Sequence, residues 1–225
     1  MKKNSFLILF TLAGLATILS NVDGMEYLQY WGKPLLMIFL AGHYIQKTRS
    51  EERSFSVLLA LAFSFLGDSF LMFEQVDQLY FMLGLGSFLL AHLTYIIAYK
   101  HHVHASDGDE LMGLRRVRLA FPIILAGSGL LIVLFPHLGD LKLPVVIYAV
   151  ILMLMVLNAL FRYNRTSSES FWFVFCGAVL FMMSDSLLAL NKFLRPFPFA
   201  GIGIITSYIA AQFLIVEGLI RHPRK

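Results

Sequence analysis

The chain has 225 residues, of which 58% are hydrophobic and 14% charged, and its mean hydropathy is +0.74. Soluble domains carry about 25% charged residues, so this composition excludes a soluble globular domain and points to an integral membrane protein. The net charge of +4 is no nucleic-acid signature, because the basic residues sit in short loops between apolar runs, and no nucleic-acid partner is expected.

Eight apolar runs approach the roughly 20 residues that a helical span requires. They are Ser5–Ser20, Leu28–Ile45, Ser54–Phe73, Leu79–Tyr99, Val117–Phe135, Leu143–Phe161, Phe171–Leu190 and Ala200–Ile220. The expected fold is all-α, a polytopic bundle of eight transmembrane helices forming one membrane domain over residues 1–225. The first run follows Lys2 and Lys3, as a signal peptide would, but Thr17-Ile-Leu-Ser20-Asn21 lacks a small-x-small cleavage site. Tyr27, Tyr30 and Trp31 suit an interfacial aromatic belt at the outer end of the second run.

The loops orient the bundle. With both termini cytoplasmic, the cytoplasmic segments hold Lys2, Lys3, Lys47, Arg49, Arg53, Lys100, Arg115, Arg116, Arg118, Arg162, Arg165, Arg221, Arg224 and Lys225. The opposite loops hold only Lys142, Lys192 and Arg195, with Lys33 just inside a helix. This asymmetry follows the positive-inside rule. The short loops and compact termini suggest a bacterial inner membrane.

The longest loop, His101–Gly113, contains His101-His102-x-His104. Neighbouring histidines on a flexible loop seldom preorganise a metal site, and a solvated loop is the preferred reading. The single Cys176 lies in an apolar run, permits no internal disulfide, and reads as a buried packing residue. Gly84-Leu-Gly86 and Gly201-Ile-Gly203 suit close helix contact.

Two carboxylates interrupt the apolar runs, Asp68 in Gly67-Asp68-Ser69 and Asp185 in Ser184-Asp185-Ser186. An Asp at the centre of a membrane helix costs about 2.5–3.5 kcal/mol on insertion scales. At about 1.5 Å per residue, each lies about 21 Å from the cytoplasmic end of its helix, and Lys33 lies about 8 Å in from the other side. All three therefore fall in the outer third of the bilayer. Neighbouring carboxyls divide into one acid and one base. The competing reading is a structural ion pair of Lys33 with one Asp. His92, Tyr95, Gln212 and Glu217 form a second polar group nearer the cytoplasmic half, with His92 and Gln212 about 10 Å or less from the aspartate level. A weak internal repeat relates these features. Lys33-Pro34, Gly67-Asp68-Ser69-x-Leu71 and His92-x-x-Tyr95 parallel Lys142-Leu-Pro144, Ser184-Asp185-Ser186-x-Leu188 and Tyr208-x-x-x-Gln212.

These residues resemble the YhhN-type membrane proteins, the lysoplasmalogenases. The resemblance rests on Lys33-Pro34, Gly67-Asp68-x-x-Leu71-Met72, Gly84-x-Gly86-x-Phe88-x-x-Ala91-His92-x-x-Tyr95 and Tyr148-Ala149. It continues through Gly177-Ala-x-Leu180-Phe181-x-x-Ser184-Asp185-Ser186 and Tyr208-x-Ala210-Ala211-Gln212. It implies hydrolysis of the vinyl-ether bond of lysoplasmalogens to a fatty aldehyde and a glycerophospho-ethanolamine or -choline, with no cofactor. On that reading Asp68 and Asp185 are the catalytic pair. Lys33, His92, Tyr95, Tyr208 and Gln212 line the substrate pocket, and the partners are the lysophospholipid and membrane lipids.

Two other functions compete at this level. A zinc-dependent intramembrane lipid hydrolase needs about three ligands around one metal, whereas His92 alone is deep and His43 and His137 lie near opposite interfaces. A proton-coupled transporter would use the aspartates as a relay, but no pair of short, Gly/Pro-broken helices marks a transport site.

Overall fold

A computed structural model describes residues 4–23, 26–104 and 111–222, with the backbone alone for 22–23 and 26–31. Among the described residues there are eight α-helices and no strand: α1 (Ser5–Asp23), α2 (Glu26–Lys47), α3 (Phe55–Leu71), α4 (Gln78–His101), α5 (Gly113–Leu134), α6 (Lys142–Leu160), α7 (Ser168–Ala189) and α8 (Ala200–Ile220). Every end falls within four residues of the corresponding apolar run. Two departures have physical causes. Helix α7 begins three residues early because the Ser167 hydroxyl caps it, accepting a 3.2 Å bond from the Ser170 N–H. Helix α5 begins at Gly113, four residues early, and its first turns hold guanidinium groups over aromatic rings: Arg116 lies 3.8 Å from the Phe161 ring centroid and Arg115 5.2 Å from that of Tyr163.

Among the described residues, five helices are long and apolar enough to cross a membrane: Gln78–His101, Gly113–His137, Gly139–Leu160, Ser168–Leu194 and Ala200–Ile220, three of which include adjoining short helical turns. Two shorter apolar helices cover Ser5–Asn21 and Phe55–Leu71. The chain is an integral membrane protein built from helices. It divides into two compact units, Met1–Ala98 and Tyr99–Lys225, with the division inside α4.

In the first unit α1 packs on α2 and α2 on α3. The turn between α2 and α3 is held by the Ser54 N–H, which donates to the Tyr44 hydroxyl at 2.9 Å, and by Arg53, which donates to the Ile45 carbonyl at 3.1 Å. Helix α4 lies against α3. A Cβ at Gly67 would fall 2.6 Å from the Phe88 ring, and one at Gly84 2.6 Å from the Leu71 side chain. These two contacts define an antiparallel register.

In the second unit α7 packs on α6 and, far more closely, on α8. A Cβ at Gly177 would lie 2.8 Å from the backbone nitrogen of Ile215, and one at Gly218 2.8 Å from that of Val174. Only residues without side chains let the two backbones approach this far.

One end of this unit is fastened by Arg162, which follows α6 and is buried to 1% exposure. Its Nε and Nη2 donate to the His102 carbonyl at 3.3 and 3.2 Å. Its Nη1 donates to the Ser170 carbonyl at 3.3 Å, and its Nη2 to the Ser170 hydroxyl at 2.7 Å. That hydroxyl donates in turn to the Gly218 carbonyl at 2.7 Å. One guanidinium thereby joins the ends of α4, α6, α7 and α8. Burial lowers its pKa to about 10.

Three details differ from the sequence expectations. Cys176 is exposed, because α7 is apolar all round and its hydrophobicity does not separate the packed face from the outward one. His102 is buried, and His104 stacks on His222 with ring centroids 4.7 Å apart, so this part of the loop is packed rather than solvated. Residues 105–110 of the loop, and the side chains of Tyr27, Tyr30 and Trp31, lie outside the described residues. Gly84 is a close-contact position, but a Cβ at Gly86 meets nothing within 4 Å and one at Gly203 only ordinary contact at 3.5 Å.

Candidate functional site

Asp68 sits three residues from the end of α3 and is 6% exposed. Ser64, one turn earlier on the same face, is fully buried. The α3–α4 register pairs Gly67 with Phe88 and Leu71 with Gly84, so Asp68 lies opposite the neighbourhood of Ser87. His92 follows Phe88 by one turn on the same face of α4, at the level of Ser64 and about 6 Å along the helix from the aspartate level. His92 and Tyr95 are both fully buried. Lys33 is half-buried on α2, on the side that carries the buried Leu36 and Met37 one turn later.

Asp185 sits four residues from the end of α7, where the helix runs on into a π-helical turn, Leu190–Leu194. Such turns recur beside functional sites. The Tyr148 hydroxyl on α6 donates to Asp185 Oδ2 at 2.6 Å, the length of a strong O–H···O bond. One turn before Asp185, the Phe181 ring meets the Tyr208 ring of α8 edge-on, with centroids 5.5 Å apart. Gln212 Nε2 donates to the Tyr208 hydroxyl at 3.3 Å, and the Ser184 hydroxyl donates to the Ile204 carbonyl at 2.9 Å. Asp185 therefore projects from α7 on the side where α6 supplies a phenol and α8 supplies a Tyr–Gln pair. Tyr208 and Gln212 are buried, whereas Asp185 is only partly so.

The α3–α4 register of the first unit thus brings Asp68 and His92 to neighbouring levels, with Tyr95 buried a turn further along α4, and the second unit joins Asp185 to Tyr148 across α6 and α7 and sets the Tyr208–Gln212 pair of α8 against Phe181. Tyr148 is the residue that site reasoning from sequence missed. In the sequence it stands only in the Tyr148-Ala149 motif of the family resemblance, with no site role, yet its depth was a usable signal. It lies six residues, about 9 Å, into α6, and Asp185 lies four residues, about 6 Å, from the matching end of α7. Chemically, each unit offers a carboxyl among hydrogen-bonding side chains in apolar surroundings, the setting in which proton transfer is not diverted to bulk water. Among the described residues no group of three or more His, Cys, Asp or Glu side chains is arranged to hold a metal ion.

Comparison with known proteins finds relatives over most of the chain. A protein named lysoplasmalogenase from Mycobacterium bovis (strain ATCC BAA-935 / AF2122/97) is 33% identical over 201 residues, covering 88% of this chain and 73% of its own length. Lysoplasmalogenase TMEM86B of Homo sapiens is 34% identical over 167 residues, 73% of this chain and 63% of its own. Lysoplasmalogenase TMEM86A of Bos taurus is 31% identical over 184 residues, 80% of this chain and 71% of its own. No solved structure matches. The YhhN family model matches residues 28–219, a stretch that takes in both aspartates and every helix but the first; the chain belongs to the YhhN family.

Proposed function

We propose that this protein is a lysoplasmalogenase that hydrolyses the vinyl-ether bond of lysoplasmalogens within the membrane, using Asp68 and Asp185 as its acid and base. The observation that carries the reading is the identity of about one third to proteins of that name over most of the chain. The site chemistry fits it. A vinyl ether is cleaved by proton transfer to its alkene carbon, which leaves an oxocarbenium ion on the ether carbon. Water adds to that carbon, and the hemiacetal collapses to a fatty aldehyde and a free glycerol hydroxyl. One carboxylic acid supplies the proton, and one carboxylate stabilises the cation and takes the proton of the incoming water. Tyr148 would hold Asp185 in place, and His92, Tyr95, Tyr208 and Gln212 would orient the water and the glycerol hydroxyl. Lys33 would hold the substrate phosphate or bias the acid–base pair.

The same reading takes all eight helices as spans, with both termini cytoplasmic, in a bacterial inner membrane. Its support is the bias of basic residues towards one set of loops.

A substrate series tests the reaction. Purified protein should release aldehyde from a lysoplasmalogen. It should leave the alkyl-ether analogue intact, because that analogue has no alkene carbon to protonate, and it should not release fatty acid from the acyl lysophospholipid. Fatty acid release at a comparable rate, with no aldehyde from the vinyl ether, would overturn the assignment.

A further inference from the structure

The end of the second unit fastened by Arg162 also carries a cavity of about 120 Å³ lined by Tyr99, Lys100, Val103, Asn158, Phe161, Arg162 and Arg165. Pockets that enclose drug-sized ligands run about 300–1,000 Å³, so this one suits a compact group. Its lining holds three cationic side chains and no carboxylate. A fourth cation, Arg116, stacks on the lining residue Phe161.

The buried Arg162 is the decisive feature. Among the described residues all its hydrogen bonds go to neutral oxygens, the carbonyls of His102 and Ser170 and the Ser170 hydroxyl. The Tyr99 ring lies beside it, 5.9 Å to the centroid. These four bonds use four of the five guanidinium N–H groups, and one on Nη1 takes no partner among the described residues. The described carboxylates at this end, Glu169 and Glu217, both bond Arg221 instead. A buried charge without a counter-charge is costly, and a basic pocket beside a membrane surface attracts anionic head groups.

We propose that this cavity binds a phosphate group, held by Lys100, Arg162 and Arg165. The site is distinct from the catalytic one. Asp185 lies 17 residues, about 26 Å, along α7 from the end that Arg162 fastens. The vinyl ether of a lysoplasmalogen is only a few bonds from its own phosphate, so a molecule reacting at Asp185 does not reach this pocket. The phosphate therefore belongs to a second ligand, either an anionic lipid or a free phosphate ion.

The test follows the thermal unfolding of full-length protein in neutral, phosphate-free detergent, titrated separately with dioctanoylphosphatidic acid, inorganic phosphate and dioctanoylphosphatidylcholine. The first should raise the midpoint by several degrees in a saturable way, and the zwitterionic lipid should not. A response to phosphatidic acid alone assigns the site to a lipid head group, and an equal response to inorganic phosphate assigns it to the free ion; either supports the proposal. Arg162→Gln tests the buried cation but also loosens the fold. The deciding variant is therefore Lys100→Gln/Arg165→Gln, which should keep the ligand-free midpoint and basal turnover while losing at least tenfold in apparent affinity. No response to either anion, an equal response to phosphatidylcholine, or undiminished affinity in the double variant would overturn the proposal. So would binding that appears only once Asp107, Asp109 and Glu110 are amidated, since the chain's own loop would then be the anion.

Discussion

Asp185 was legible in the sequence because a carboxylate inside an apolar run is expensive and stands out. Its bond to Tyr148 was not, because the Tyr148-Ala149 motif does not say which helix the phenol faces. The Tyr148 hydroxyl bond predicts a kinetic effect. Tyr148→Phe removes a single hydrogen bond and leaves the ring in place, a loss of about 1–2 kcal/mol, or about 5- to 30-fold in turnover. Because the phenol acts through Asp185, kcat should fall while KM changes little and the unfolding midpoint holds. A fall in the midpoint with kcat preserved would make Tyr148 a packing residue. Cys176 shows the same blindness from the other side. In a bilayer an apolar residue is equally at home facing lipid or protein, so apolarity did not tell which face it occupies.

At the scale of the element, all eight helices could be read from runs of apolar residues, because a long apolar run in a membrane satisfies its own backbone groups as a helix. Which glycines bring two helices together could not be read, because that depends on rotation about the helix axis. Gly177 and Gly218 sit backbone-to-backbone across α7 and α8, whereas Gly86, in an equally suggestive Gly-x-Gly, faces open space. Gly177→Leu or Gly218→Leu should therefore destabilise the second unit by about 3 kcal/mol or more, since the atoms in the way are backbone and cannot move aside. Gly86→Ala should be neutral or slightly stabilising, since alanine is the better helix former by about 1 kcal/mol. Thermal unfolding in detergent reads both. A Gly177 variant as stable as the parent would show that the α7–α8 approach is not tight in solution.

For the whole molecule, the all-helical membrane class follows from composition, and the loops carry the orientation. If both termini are cytoplasmic, a reporter fused after Lys225 reads as cytoplasmic and one placed in the segment between α5 and α6 reads as extracytoplasmic; the reverse pattern would invert the bundle. What composition could not supply is how polar groups at a helix end use one another. His102 and His104 looked like members of a solvated loop, but the Arg162 network that buries one of them is built from carbonyl oxygens, which no residue pattern announces. The candidate site was legible as two carboxylates at matching places in two helices, and it is the joint action of those two carboxylates that the proposed function requires.

The most direct test of that joint action is aldehyde release from a lysoplasmalogen by purified Asp68→Asn and Asp185→Asn variants, measured beside the parent and checked for retained helicity and monodispersity. The account predicts that each variant is folded and has lost at least 1,000-fold in turnover, about 4 kcal/mol of transition-state stabilisation. Parent-like turnover in either variant would contradict it.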